Sequence, residues 1–140
     1  MLASETDVVR LIPQKPPFVM VSKLLFSDRI KTVSSFKVSN DCLLIQDGLL
    51  SESGLVENIA QTAAAGVGYV CIQDNIPVPV GFIAAIKNLK VYSLPEVGSE
   101  IKTEVVVQNQ VLDITIIFGK CFSREKLLAE CEMRIFVKPD

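Results

Sequence analysis

The stretch GLVENIAQTAAAGVGYVCIQ, residues Gly54–Gln73, decides how the rest of the chain must be arranged. Leu55, Ile59 and Ala63 fall four apart, as do Val56, Ala60 and Ala64, and Val67 and Cys71 carry that face onward. This spacing predicts an α-helix near residues 53–73. Its apolar face is too wide for a helix lying on a surface, so the helix is expected to be largely buried. Glu57, Asn58 and Gln61 crowd its first turns, which argues against a membrane span. Ala63–Ala65, Gly66 and Gly68 lack bulk, so a sheet can approach the helix closely, at some cost in helix propensity for the glycines.

Around this helix the period is two. Thr6–Ile12 reads as a short helix closed by Pro13 and the rigid Pro16-Pro17 step. Phe18–Phe26 is apolar on both parities, as a strand covered on both faces would be. Ile30–Ser39 is its expected hairpin partner across Asp28-Arg29. Residues Asn40–Glu52 read as irregular, with a turn at Asp47-Gly48. Beyond the helix, Val80–Tyr92 is a strand whose first half is apolar on both faces. Glu100–Leu112 sets Ile101, Thr103, Val105 and Val107 against Lys102, Glu104, Val106 and Gln108. Ile114, Ile116 and Phe118 continue on the next strand. After a turn at Ser123–Lys126, the last strand is expected to turn Leu127, Ala129, Cys131, Met133, Ile135 and Val137 inward. Glu130, Glu132, Arg134 and Lys138 then face out. An antiparallel sheet that is apolar on one face must cover it, and only one helix is long enough. The expected fold is therefore α+β, a single domain over residues 1–140. It has the hot-dog architecture: one long central helix wrapped by an antiparallel sheet of about five or six strands.

Composition narrows the function. Hydrophobic residues make up 49% and charged ones 21%, which excludes disorder and points to apolar surface meeting a second subunit or a greasy ligand. Fourteen basic residues against sixteen acidic ones leave a net charge of −2, which argues against nucleic acid. There is no histidine. That removes every imidazole base and the commonest zinc ligand. Cys42, Cys71, Cys121 and Cys131 form no CxxC pair, and MLASETDVVR has no basic head followed by an apolar run. Reduced thiols in the cytoplasm are expected, with no metal and no cofactor.

Glu57 is the first candidate for chemistry. The helix dipole favours its charged form while burial opposes it, a balance suited to acid–base work. Gln61, one turn on, could orient it. The alternative is a glutamate that merely complements the dipole. The second feature is the helix start at Gln46–Gly54, whose free N–H groups could polarise a thioester carbonyl. The third is Leu11–Val21, which also reads simply as a proline-stiffened lead into the first strand.

Together these segments resemble the β-hydroxyacyl-acyl-carrier-protein dehydratases of fatty-acid synthesis, which have the hot-dog fold. That family opens with Leu-Ile-Pro-His-x-x-Pro-Phe; Leu11, Ile12, Pro13, Pro17 and Phe18 match, and Gln14 replaces the histidine. Its Glu-Ala-Met-Ala-Gln on the central helix is matched by Glu57-Asn58-Ile59-Ala60-Gln61, which implies that Glu57 is the catalytic carboxylate. Residues Gly81–Lys90 resemble the family's strand after the helix. The family's catalytic histidine lies about fourteen residues before the glutamate, and here that count lands on Leu43. A nearer resemblance is the branch encoded in aryl-polyene pigment clusters. There the histidine turn is likewise eroded while Gly-x-Leu and Glu-x-Met-Ala-Gln-Thr remain; Gly48, Leu50 and Glu57 through Thr62 follow that pattern.

The resemblance implies an acyl thioester of acyl carrier protein or coenzyme A as ligand, in a fatty-acid or polyene pathway. Dehydration is expected to be weak or absent without histidine. A thioesterase relying on Glu57, or a non-catalytic acyl-binding or structural partner subunit, are the alternatives. The expected acyl tunnel is walled by Phe18, Met20, Gly54, Leu55, Ile59 and Phe82, with Lys87 and Lys90 on a basic rim for an acidic carrier. A homodimer or larger even oligomer is expected through the doubly apolar Val80–Ile86, with a complete dehydratase subunit as a further candidate neighbour.

Overall fold

The computed structural model describes residues 1–137 of the chain. Two helices, α1 (Glu5–Val8) and α2 (Glu52–Gln73), accompany strands β1 (Lys23–Ser27), β2 (Lys31–Lys37), β3 (Ile45–Gln46), β4 (Leu49–Leu50), β5 (Gly81–Val91), β6 (Glu100–Val111), β7 (Ile114–Ser123) and β8 (Lys126–Val137). Six strands form one antiparallel sheet in the order β1-β2-β6-β7-β8-β5, and α2 packs across it. This is the hot-dog arrangement. Lys138, expected on the outer face, lies outside the described residues.

Helix α2 begins where Ser51 caps it, its side chain accepting from the Gly54 N–H at 3.3 Å. The small hairpin β3–β4 delivers that cap. Asp47 and Gly48 both take positive φ, 55° and 76°, as the twist of a two-residue hairpin turn requires. Leu55 and Ile59 are fully buried against Ile101, Ile117, Cys121 and Met133. The small residues act as expected: a Cβ on Gly66 would strike Thr32 of β2, and one on Gly119 of β7 would strike Ile59. By length and composition α2 could cross a membrane, but half of its 22 residues are buried within the protein. It is the core helix.

The short helix is Glu5–Val8 rather than Thr6–Ile12, the segment expected to be irregular holds the β3–β4 hairpin, and three further expectations shift. Strand β1 starts at Lys23 rather than Phe18, because residues 18–20 hydrogen-bond to side chains of α2 instead of to a strand. The Gln61 Oε1 accepts from the Met20 N–H at 2.6 Å, and its Nε2 donates to the Phe18 carbonyl at 2.9 Å. Asn58 Nδ2 donates to the Met20 carbonyl at 2.7 Å, while its Oδ1 accepts from Thr103 Oγ1 at 2.5 Å. Three polar residues of these turns are thus as buried as Leu55 and Ile59: Asn58, Gln61 and Thr62 are inaccessible to solvent. Second, β7 buries Ile117, Gly119 and Cys121 rather than Ile114, Ile116 and Phe118. A bulge between Val107 and Asn109 inserts one residue into β6 and exchanges the two faces. Third, the Cys121–Phe122 irregularity brings Leu128 inside along with Ala129, Cys131 and Met133, and leaves Leu127 half-buried.

Strand β5 is an edge. It pairs with β8 on one side and with no strand on the other among the described residues. Phe82 is 55% exposed there, with Val80, Ile83 and Ile86 also open to solvent.

Asn58→Ala should cost about 2–5 kcal/mol, since it leaves the buried Met20 carbonyl and Thr103 hydroxyl without their partner; urea unfolding measures this. The thiols give a second expectation. Burial pushes Cys121 up to about 12 and Cys131 up to about 11, from an ordinary value of 9.0. At pH 8 both are thiols in all but roughly one molecule per thousand. Iodoacetamide should therefore spare them in the folded protein and modify all four cysteines after denaturation. Above pH 9 the unfolded chain loses these protons before the folded one, so stability should fall progressively from pH 9 towards 11.

Candidate functional site

Glu57 stands on the second turn of α2, half-buried. Its Oε1 accepts from Gln61 Nε2 at 2.9 Å, one helical turn away. Gln61 is held in turn by the Met20 N–H and the Phe18 carbonyl, so the carboxylate is oriented by an amide that has no freedom to rotate. The second carboxylate oxygen is left to meet a ligand.

Two cavities meet at this residue. The larger, about 610 Å³, runs along α2 past Ala60, Ala64 and Val67 and is bounded by Phe82 and Ile83 of β5 and Ile117 of β7. The smaller, about 420 Å³, lies between Phe18, Met20, Leu43 and Leu44. Glu57 and Gln14 line both. Volumes of this size, mostly apolar with a few polar groups, are those of small-molecule sites; the larger cavity also carries Asp28, Arg29 and Asp74 in its wall.

The structure distributes the expected site residues unevenly. Glu57, Gln61, Phe18 and Met20 come together at the smaller cavity, and Phe82 reaches the larger one. Leu55 and Ile59 are packed in the core and line neither cavity. Gly54 also lies away from both, its N–H capped by Ser51 and its Cα against Leu50. No residue from 51 to 54 lines a cavity, so the helix start is not aimed at this space. The row Ala60, Ala64 and Val67, on the face expected to be buried, is the wall of the larger cavity, and Val67 is 43% exposed. The width of the apolar face therefore carried two signals, one stripe for the sheet and one for a ligand. Lys87 and Lys90 lie on β5 beside Glu132 and Glu130 of β8, which offset their charge.

Leu43, where the resemblance places a histidine, lines the smaller cavity beside Glu57. Asp41 and Asp47 are exposed and line neither cavity. Cys71, in the wall of the larger cavity, is pushed up by burial and by nearby Asp74. Among the described residues no three histidine, cysteine or carboxylate side chains converge as metal ligands.

Comparison with known proteins agrees with this architecture. Among solved structures, a dehydratase heterocomplex, ApeI:P, from Xenorhabdus doucetiae superposes with a TM-score of 0.87 at 16% identity, covering 95% of this chain and 91% of that one. A sigma28-regulated virulence protein from Campylobacter jejuni superposes with a TM-score of 0.72 at 11% identity, over 95% of this chain and 97% of that one. A hypothetical thioesterase from Streptococcus pneumoniae TIGR4, solved with coenzyme A, gives a TM-score of 0.69 at 11% identity, over 84% and 89%. At these identities the likeness is one of fold. Among curated proteins no sequence matches. The family model for ApeP-like dehydratases matches residues 6–140, and with Glu57, Gln61 and the hot-dog frame in place the chain belongs to the ApeP-like dehydratase family.

Proposed function

We propose that this protein binds 3-hydroxyacyl chains delivered as thioesters of acyl carrier protein or coenzyme A, in a fatty-acid or polyene pathway, as a partner subunit with little dehydratase activity of its own. The observation that carries this reading is the Glu57–Gln61 pair at the meeting point of two apolar cavities, in a chain without histidine. Dehydration removes an α-proton and expels a hydroxyl, so it needs a base and an acid. Glu57 can serve one role. Leu43 cannot serve the other, and Asp41 and Asp47 do not reach the site. A positioned general base is worth roughly 10²–10⁴ in rate. The fold shared with a dehydratase heterocomplex supports a division of labour in which a histidine-bearing subunit supplies the missing group.

The thioesterase alternative needs an oxyanion hole as well as a carboxylate. The helix start was its expected donor, and residues 51–54 line neither cavity while Ser51 occupies the Gly54 N–H. That disfavours hydrolysis, although a hypothetical thioesterase solved with coenzyme A shares the fold.

The exposed apolar edge of β5 supports assembly. We place a second copy of this chain along it, as a homodimer or larger even oligomer, with a complete dehydratase subunit as the competing neighbour. Phe82 and Ile83 belong both to this edge and to the larger cavity, so pairing would set the cavity at the subunit boundary. The proposed setting is cytoplasmic.

Two measurements test these readings. The isolated protein should dehydrate 3-hydroxyacyl thioesters about 10²–10⁴ times more slowly than a histidine-bearing dehydratase. Whatever turnover remains should vanish in Glu57→Gln, whose amide keeps the contact with Gln61 and should change stability by less than about 1 kcal/mol. Robust wild-type dehydration, or residual activity indifferent to the substitution, overturns the assignment. Light scattering at micromolar concentration should give an even oligomer, and Phe82→Lys with Ile86→Lys on β5 should shift it to monomer. A stable wild-type monomer counts against assembly of the chain with itself.

A further inference from the structure

Gln14 lies on a segment that is firmly held. Leu11 and Ile12 are buried, and the Leu11 carbonyl sits so close to α2 that a Cβ on Gly68 would strike it. Lys15 Nζ donates to the Val9 carbonyl at 2.6 Å and to the Ile12 carbonyl at 3.2 Å, tying down the turn beside it. From this anchored position Gln14 lines both cavities together with Glu57. Its Oε1 is buried and has no hydrogen-bond partner among the described residues. Buried polar atoms nearly always have a partner, so an unpaired amide oxygen beside the cavity junction, on a side chain that no hydrogen bond holds, can turn to take a donor from whatever enters.

The junction is rich in acceptors. Glu57 offers its second oxygen, since the first is taken by Gln61, and Gln14 offers Oε1. The rest of the wall nearby is aliphatic: Leu43, Leu44 and Ala60. A thioester carbonyl accepts and cannot pair with Gln14 Oε1. A hydroxyl can. It both donates and accepts, so it also satisfies the amide if the group turns over and presents Nε2. On a 3-hydroxyacyl chain that hydroxyl is the sole donor.

We propose that Gln14 is the specificity-determining residue of this site, accepting a hydrogen bond from the 3-hydroxyl of a bound acyl thioester and so selecting hydroxylated over unsubstituted chains. The assignment rests on the acyl-thioester reading above and adds to it which chain is preferred and by which atom. A site built to bond a hydroxyl rejects the analogue lacking it, because the buried partner is then left unpaired.

The test is calorimetric titration with 3-hydroxydecanoyl-pantetheine and decanoyl-pantetheine, on wild type, Gln14→Leu and Gln14→Met. Wild type should bind the hydroxylated chain at least about tenfold more tightly. Both variants should lose that preference while binding decanoyl-pantetheine at least as tightly as wild type, because the unpaired amide is gone, which also shows that the site is still folded. Equal wild-type affinities, or a preference that survives in both variants, overturns the assignment and leaves acyl binding standing. Equal weakening of both ligands in the variants overturns it too, and moves the contact to a pantetheine amide. If wild type binds neither thioester, the acyl-thioester reading falls and this assignment with it.

Discussion

The structure depends on two amide side chains that act as a stretch of missing strand. Asn58 and Gln61 reach from α2 to the backbone of residues 18–20, saturating the Met20 N–H and carbonyl and the Phe18 carbonyl. A segment that leaves a sheet before it is fully paired must satisfy its backbone groups elsewhere. Here the helix supplies both donors and acceptors from one face. The arrangement continues inward: Asn58 Oδ1 takes the Thr103 hydroxyl, Thr62 donates to the Asn58 carbonyl, and Ser34 meets Thr62 at 2.7 Å. Every polar group in this network is paired with another of its members or with backbone, which is what permits it in a core.

The same network builds the site. Gln61 is a structural fastener through Phe18 and Met20 and an orienting group through Glu57. Holding Phe18 and Met20 away from a regular strand also opens the smaller cavity that they line. The larger cavity arises on the opposite stripe of α2, where alanines leave space beneath the sheet and β5 supplies the far wall. Fold and site therefore share residues. A change at Asn58 or Gln61 moves the carboxylate as well as loosening the core.

The chemistry follows from what this frame holds and lacks. It presents one oriented carboxylate, one carboxamide and mostly apolar walls, with a leucine beside the carboxylate in the smaller cavity. The buried cysteines add no nucleophile, because desolvation keeps Cys121 and Cys131 protonated. Such a site is better suited to holding and orienting an acyl chain than to moving two protons unaided.

Much of this was legible in the residues themselves. The four-apart spacing of Leu55, Ile59 and Ala63 determined one buried helix, the alternation at Ile101–Val107 determined its sheet, and the histidine count bounded the chemistry. These are local properties, and periodicity or composition suffices to read them. What tertiary structure alone decided is of another kind. The bulge at Val107–Asn109 exchanged the faces of β7, because a side-chain period of two inverts whenever one residue is inserted. The pairing of Asn58 and Gln61 with backbone about 38 to 43 residues away has no periodic signature. Polar residues in a first turn read as exposed until their partners are known. The split of one apolar helix face into core and cavity wall came from where the sheet stops touching the helix. That depends on the volumes of residues brought together from α2 and five strands, and no window of sequence contains them.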